Sequence, residues 1–297
     1  MTVDAASAPQ GAPATAAAEA SLRAAPRPRD VVRVAGPDAE SYLNRMLSND
    51  VAQVPVQGSQ DALLLTAKAR VIAPVRLVRR AVEEFLLLTE PGLGAELARQ
   101  LLRMRFAAKC EIAVEPHAVT LVLAGPGAGW EPPAGTRAAE CPDYGVPAWE
   151  LVDGDAPAGA ASVAPDELER LRIRARTARF GAEIDDRVMP AEAGLIERSI
   201  NFGKGCYPGQ EPVARLHYRG HANRGLRTLI VAAPDGALPP YDAPVTHEGK
   251  EVGRVTSAVA AGPAAAPGEV LALAYVRVEV PEDAVFEVAG AAARQLA

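Results

Sequence analysis

The segment from residue 201 to residue 215 has the sequence NFGKGCYPGQEPVAR. Its closely spaced glycines and the Pro208-Gly209 pair predict a tight loop with exposed backbone amides. Pro212 suits the first turn of a helix, so the loop should end where a helix begins. Cys206 therefore lies just ahead of a helix N-terminus, with Lys204 beside it.

Cys206 is, in this setting, a candidate reactive thiol. The helix N-terminus and the cations Lys204 and Arg215 favour the thiolate, which is the nucleophilic form of cysteine. The competing interpretation is a buried and inert cysteine in a packed turn, the common situation of a free cysteine. These residues alone leave both interpretations open.

The composition is that of a globular protein. The chain has 297 residues, 49% of them hydrophobic and 23% charged, which is enough for two or three packed units. Three cysteines (Cys110, Cys141 and Cys206) are an odd and widely spaced set, which favours a reducing compartment over a disulfide framework. With only four histidines beside them, no metal site is predicted. The net charge of −6 argues against binding of nucleic acid over the whole surface.

The beginning of the chain has no secretory or membrane signal. No apolar stretch approaches the ~18 residues of a membrane span. Residues 1–28 are rich in alanine and proline, without the basic start and apolar centre of a secretory signal. We therefore predict a cytoplasmic protein in which residues 1–28 form a disordered tail.

Basic residues are concentrated in the middle of the chain. Six of them lie between residues 198 and 227, with Glu211 as the single acid, and five arginines lie between residues 170 and 179. Most charge runs are solvated helix faces. The alternative is a cleft that attracts anions, formed by Arg172, Arg174, Lys204 and Arg215.

The rest of the chain predicts an α+β fold. Strands are indicated over residues 31–34, 62–66, 71–78, 85–89, 111–115, 118–124 and 149–152, and helices over 39–47, 94–106 and 165–178. Asp38 is the candidate N-cap of the first helix. Strands that alternate with helices in this way favour split βαβ units.

A change of pattern marks a second domain. After Gly225, short strands are predicted over 228–231, 252–259, 270–278 and 284–288, separated by turn sequences. Such spacing is typical of a small antiparallel barrel or sandwich. The predicted organisation is a tail over 1–28, a first domain over 29–222 and a β-barrel domain over 223–297.

The run Lys204-Gly-Cys-Tyr-Pro-Gly-Gln-Glu211 resembles the K-G-C-Y-x-G-Q-E signature of the YgfZ-type proteins, relatives of the glycine-cleavage T-protein. Residues 171–215 follow the order and spacing of that family. Upstream, the end of the segment 42–51, Ser48-Asn-Asp-Val51, is similar to the T/S-N-D-V exit of the family's first helix. Downstream, the segments 252–257 and 271–277 are similar to its C-terminal domain.

The resemblance implies a T-protein-like folate-binding region around a central cleft, followed by the barrel. It implies tetrahydrofolate as the cofactor, a role in iron–sulfur cluster assembly and tRNA modification, and Cys206 as the catalytic residue. The client iron–sulfur enzymes or assembly proteins would be its partners, with no direct nucleic-acid contact, no membrane and a monomeric state. The cofactor-binding residues that it implies are Lys204, Gly205, Tyr207, Gly209, Gln210, Glu211, Arg215, Arg172, Arg174 and Tyr144.

The chain departs from the aminomethyltransferases of this superfamily at two motifs. Ala73 and Pro74 stand where their G-G-x-x-D-D motif has two carboxylates, and neither residue can act as an acid or base. Arg174 stands at the Glu of their R-x-E-A-G motif, which anchors the pterin. Glycine-cleavage activity is therefore not expected.

The sequence leaves three alternative functions beside this interpretation. The first is a folate-dependent aminomethyl or methyl transferase, which lacks its acids here. The second is a zinc or cluster site formed by Cys206, Glu211, His217 and His221, in which the two histidines would share a helix face. The third is an RNA-binding module based on the arginine-rich segment, against which the acidic net charge and the scarcity of aromatic residues argue.

Overall fold

A computed structural model describes residues 21–296 of the chain. Its strands are β1 Leu22–Pro26, β2 Asp30–Ala35, β3 Ser59–Leu65, β4 Val71–Ala81, β5 Glu84–Thr89, β6 Glu111–Glu115, β7 Val119–Ala124, β8 Ala138–Glu140, β9 Ala148–Val152, β10 Ala161–Ser162, β11 Arg224–Ala232, β12 Pro244–His247, β13 Lys250–Ala260, β14 Glu269–Arg277, β15 Val285–Val288 and β16 Ala291–Gln295. Its α-helices are α1 Ala39–Met46, α2 Gly94–Met104, α3 Pro165–Arg174, α4 Ile196–Ser199 and α5 Gln210–Arg219.

The first sheet has the strand order β3-β4-β5-β2-β6, and all of its neighbouring strands are antiparallel. Strands β5 and β6 run in the same direction on either side of β2 and are joined by α2, which makes one split βαβ unit. Helices α1 and α2 cover one face, where Tyr42, Leu43 and Leu97 pack on Leu87 and Phe85. Burial of these apolar side chains is the main source of stability for this unit.

The second sheet has the order β10-β1-β7-β9-β8. Strand β1 pairs with β7 along its whole length, from Leu22 opposite Ala124 to Pro26 opposite Thr120. The prediction of a tail over residues 1–28 is therefore wrong for residues 22–26, and residues 1–20 lie outside the described part of the chain. Ala24 and Ala25, two of the five residues of β1, are buried, and composition alone does not reveal a pairing partner nearly a hundred residues away.

The two sheets pack against each other through aliphatic side chains. Val31, Leu86 and Leu88 of the first sheet meet Val119 and Val152 of the second. The side of the first sheet that the helices leave open is thereby closed, as the layered architecture of a stable domain requires.

The C-terminal part forms a closed antiparallel barrel of six strands, in the order β11-β14-β13-β12-β15-β16. Its interior is filled by valine, alanine and Phe286. Helix α3 packs on its outside, where Ile173 lies against Leu271 and Leu273, and the Thr228 hydroxyl donates to the carbonyl oxygen of Ile173 at 2.7 Å. The predicted α+β class with a C-terminal barrel is confirmed, while the limits of the domains stay predictions.

Two details of the helices differ from the sequence prediction. Asp38 precedes α1 but does not cap it, because its carboxylate accepts the backbone N–H of Lys109 at 2.7 Å. Helix α3 ends at Arg174 instead of 178, because Arg176 takes the left-handed conformation with φ +55° and turns the chain.

We predict that Gly253→Ala lowers the free energy of unfolding by about 1–3 kcal/mol. A Cβ atom at Gly253 would lie 2.0 Å from the carbonyl oxygen of Tyr275 on the neighbouring strand β14. Gly225→Ala is the matched control, because Gly225 pairs with the same residue, Val276, from the other side and has open space at its Cβ position. Urea denaturation of both variants provides the comparison, and equal midpoints would contradict the close approach at Gly253.

Candidate functional site: a charged cavity and an exposed thiol loop

A cavity of about 440 Å³ lies between the end of β1, helix α3 and the segment that follows it. Its apolar wall includes Pro26, Val163 and Leu168. Its polar wall comprises Arg27, Glu90, Asp143, Tyr144, Glu169, Arg172, Thr177 and Arg179. A volume of this size, apolar walls and a few convergent polar groups are typical of a small-molecule site.

Asp143 and Glu150 are the centre of a buried ion network beside this cavity. Arg76 contacts both carboxylates, Asp143 at 3.1 Å and Glu150 at 3.0 Å. Arg29 lies 2.7 Å from Glu150, which is completely buried. Buried carboxylates of this kind are tolerated only when they are paired and hydrogen-bonded.

The network extends to four arginines and four carboxylates, so its formal charges balance. Its members are Arg27, Arg29, Arg76, Arg198, Asp61, Glu90, Asp143 and Glu150, with N···O distances between 2.7 and 3.8 Å. They come from both sheets, from the turn before β9 and from α4. Burial by itself would raise the pKa of Asp143, but Arg76, Arg198 and Arg29 hold that pKa far below its ordinary range. The pKa of Glu150 is lowered in the same way against burial, chiefly by Arg29 and Arg76.

Arg172 lies in the cavity wall but is already paired. Its guanidinium contacts Glu169 at 2.7 Å and Glu183 at 2.9 Å. Glu183 is completely buried and also accepts the hydroxyl of Ser257 in the barrel at 2.7 Å. Arg172 therefore links the cavity wall to the barrel, and its charge is neutralised there.

The loop that carries Cys206 leads into α5. Cys206 is exposed, whereas Tyr207 beside it is buried and its hydroxyl has no hydrogen-bond partner among residues 21–296. Burial raises the pKa of Tyr207 to about 12. Gly209 has φ +82°, and a Cβ atom there would lie 2.6 Å from the carbonyl oxygen of Thr66. The Pro208-Gly209 pair thus lets the loop pack closely on the turn between β3 and β4.

Lys204 does not lie in the loop as a free cation. Its ammonium group donates to the carbonyl oxygens of Asn44 at 2.5 Å, Leu47 at 2.7 Å and Asn49 at 2.8 Å. Burial lowers the pKa of Lys204 to about 8, and the carboxylate of Asp50 opposes that shift. Lys204 is close to Cys206 in the sequence, but its side chain is directed to the end of α1.

The four basic residues of the predicted cleft are therefore not gathered around one space. Arg172 is paired in the cavity wall, and Lys204 is bound by carbonyl oxygens. Arg174 and Arg215 are exposed, and within residues 21–296 their side chains make no hydrogen bond or ion pair. The prediction of a single cleft formed by these four residues is wrong. Two of the cations are bound by carboxylates or carbonyl oxygens of the fold, and the other two are exposed to solvent.

The remaining predicted site residues lie in two places. Tyr144 lines the cavity, and burial raises its pKa. Gly205 is exposed in the thiol loop, and Gln210 and Glu211 form the first turn of α5. Glu211 is exposed.

Sequence reasoning missed most of the charged residues beside the cavity. Arg27 lies within the predicted tail, and Arg29, two residues later, was not predicted to be a site residue. Glu150 carried a usable signal, because it is the single charge of an otherwise apolar strand, and Arg76 lies between apolar residues of β4. Asp143 had no such signal, since it lies in a Pro-rich turn.

The structure does not assemble the proposed metal ligands. His217 stacks on Phe202 with ring centroids 4.2 Å apart, and α5 ends at Arg219, so that His221 lies beyond the helix. Within residues 21–296, no group of three or more His, Cys, Asp or Glu side chains converges on a point where a metal ion could bind. None of the helices over the same residues is long and apolar enough to cross a membrane.

Comparison with known proteins identifies the fold and several similar proteins. No family model matches the chain. The crystal structure of the glycine cleavage system aminomethyltransferase T from Bartonella henselae superposes with a TM-score of 0.74 at 19% identity, covering 94% of this chain and 86% of that one. The tRNA-modifying protein YgfZ of Edwardsiella ictaluri is 28% identical over 293 residues, covering 89% of this chain and 87% of that protein. The chain is thus similar in sequence to a YgfZ protein and has the fold of the T-protein.

A second similar protein is mitochondrial. It is the iron–sulfur cluster assembly factor IBA57 homolog of Pyricularia oryzae, 25% identical over 254 residues. The match covers 77% of this chain and 64% of that relative's length. The family resemblance drawn from the 204–211 signature is thus confirmed by comparison of nearly the whole chain.

We predict that acid destabilises the protein through Asp143. Because its pKa is lower in the folded chain than in the unfolded chain, the unfolded chain takes up a proton first as the pH falls below ~4, and stability is lost there. Asp143→Asn should lower the free energy of unfolding at pH 7 by ~3–5 kcal/mol, since the four arginines of the buried network would then share three carboxylates. Its stability should then fall less steeply than that of the wild type between about pH 5 and about pH 3.

Denaturant titrations across that pH range measure both effects. Asp235→Asn is the control, because Asp235 is exposed in the turn after β11 and pairs only locally. A parallel pH dependence in wild type and Asp143→Asn would show that the network does not carry the acid sensitivity.

Proposed function

We propose that this chain is a cytoplasmic folate-binding protein that assists the assembly or repair of iron–sulfur clusters through Cys206. The observation that carries the proposal is the contrast between the three thiols. Cys110 and Cys141 are buried, and burial raises the pKa of both, that of Cys141 to about 12. Cys206 is exposed on a loop packed at Gly209 against another part of the fold.

Such a thiol suits exchange with a partner. The thiolate of an accessible cysteine can attack the outer sulfur of a partner's persulfide, which breaks that S–S bond and releases the partner's thiolate, or it can ligate iron; a buried thiol is out of a partner's reach. The names of the relatives, a tRNA-modifying protein and an iron–sulfur cluster assembly factor, agree with a role of this kind. The client enzymes or assembly proteins are then the partners that Cys206 meets.

The cavity supports the folate part of the proposal. Its volume of about 440 Å³ is within the range of small-molecule sites. Arg27 and Arg179 offer donors to the carboxylates of a folate tail, and the Nε of Arg27 is buried without a hydrogen-bond partner in the described residues. Glu90 and Glu169 offer acceptors to the amino groups of a pterin. A folate held there would supply a carrier for one-carbon units.

The transferase alternative has no acid or base where the superfamily places it. Ala73 is completely buried in β4, and the carbonyl oxygen of Pro74 accepts the hydroxyl of Thr89 at 2.7 Å. Arg174, at the position of the pterin-anchoring glutamate, is exposed at the end of α3. We therefore do not expect glycine-cleavage activity, and an assay with the lipoyl carrier protein and tetrahydrofolate tests this directly.

We predict that Cys206 is modified by iodoacetamide in the folded protein while Cys110 and Cys141 are protected. Cys206→Ser should leave the thermal midpoint nearly unchanged, since the residue is exposed, yet fail to complement a strain that lacks the protein. Mass spectrometry of the alkylated protein and growth that depends on iron–sulfur enzymes are the two measurements. Full complementation by Cys206→Ser would remove the thiol from the mechanism.

We predict that polyglutamylated tetrahydrofolate binds in the cavity and that its affinity falls as salt rises, because attraction between charges at an open site is screened. Arg179→Ala should weaken binding several-fold, about the contribution of one charged hydrogen bond. Arg179 is the reporter because its side chain is 42% exposed and has a single carboxylate partner, Glu169. Calorimetric titration measures the affinity.

Arg99→Ala is the matched control for this titration, because Arg99 is an exposed, singly paired arginine on α2. Equal loss of affinity in both variants would show that only the overall charge matters. Affinity that is independent of salt and of Arg179 would place the ligand elsewhere.

A further inference from the structure

The exit from α1, Ser48-Asn49, is the docking point for the segment that leads to Cys206. The Ser48 hydroxyl donates to the carbonyl oxygen of Ser199 at 2.6 Å, and the backbone N–H of Asn201 donates to the carbonyl oxygen of Ser48 at 3.0 Å. The side-chain amide of Asn49 donates to the carbonyl oxygen of Arg198 at 3.1 Å. These bonds fix residues 198–201 on the N-terminal part of the fold.

Lys204 adds three more bonds to the same place. Carbonyl groups in the last turn of a helix have no partner within the helix, and they carry the negative end of its dipole. Asn44 lies in the last turn of α1, and Leu47 and Asn49 follow it, so that the ammonium of Lys204 caps the helix from a distant part of the chain. All three N–H bonds of the ammonium are used.

The far end of the loop is held by packing instead of by charge. Gly209 lies against the carbonyl oxygen of Thr66, so close that no side chain fits between them. Residues 205–208 thus span two anchors, Lys204 and Gly209, and Cys206 is presented between them.

We propose that Lys204 is a positioning residue for Cys206: by joining the thiol loop to the C-terminal end of α1, its ammonium fixes where the thiol is presented. This inference rests on the proposed function of Cys206. The ammonium does not act as a free counter-charge for the thiolate, because its three donors are taken by carbonyl oxygens. A lysine is required because the three acceptors converge on one nitrogen, whereas the donors of an arginine lie in a plane and spread over three nitrogens.

The test compares Lys204→Met and Lys204→Arg with wild type by the rate of Cys206 alkylation and by hydrogen exchange of the segment 203–209, measured at the bonded N–H groups at its two ends, Gly203 and Gln210. Loss of three hydrogen bonds should accelerate exchange in this segment at least ~10-fold in Lys204→Met, the effect of ~1.4 kcal/mol. Lys204→Arg should show a similar acceleration despite its charge. The alkylation rate should change in the same direction in both variants.

Lys68→Met is the matched control, because Lys68 is an exposed lysine of the turn on which Gly209 packs. It should leave exchange of residues 203–209 as in wild type. Exchange of the barrel strands, measured in the same samples, shows whether each variant is folded; should Lys204→Met fail to fold, Lys204→Arg carries the test.

Two results would overturn the inference. Unchanged exchange of residues 203–209 in the folded variants would show that Lys204 does not hold the loop. Wild-type behaviour of Lys204→Arg, with Lys204→Met impaired only in alkylation, would show that Lys204 acts through its charge on the thiol. Both outcomes are independent of whether Cys206→Ser complements, so the proposed function and this inference fail separately.

Discussion

The buried ion network around Asp143 and Glu150 is the interaction on which the rest of the structure depends. It joins the two sheets, the turn before β9 and α4 at one point, where aliphatic packing alone would allow several arrangements. Paired buried charges add little net stability compared with a well-packed apolar core, but each is costly when it loses its partner. Their effect is therefore to select one relative placement of the sheets, the one in which each of the eight groups has a partner of opposite charge.

The same network prepares the cavity beside it. Glu90 and Asp143 belong to both, so the positions of these carboxylates are set before any ligand arrives. A site whose charged groups are already fixed binds with a smaller loss of side-chain freedom. The link from Arg172 through Glu183 to Ser257 extends this order to the barrel, which encloses no part of the cavity but stabilises its wall.

Much of the architecture could be predicted because it depends on local sequence patterns. Apolar runs and turn sequences predicted most of the strands, the barrel and the start of α5, and the glycine-rich loop around Cys206 was placed correctly. What was missed depends on residues far apart in sequence. Strand β1 is Ala-rich and gains its structure from pairing with β7 and β10, and the partners of Arg76 and Glu150 lie in distant parts of the chain. The contacts of Lys204 could not be predicted for the same reason. Its closeness to Cys206 in the sequence does not indicate which groups its long side chain contacts.

The capping of α1 by Lys204 also has a consequence for the order of folding. The donor and its acceptor Asn44 are 160 residues apart, so this contact closes a very long loop. During synthesis, which proceeds from the N-terminus, the first sheet and α1 are complete before Lys204 has been made. The end of α1 is then hydrated until the later segment docks, and the thiol loop acquires its final geometry only when the two halves of the chain have met. A nascent chain therefore carries no organised thiol site.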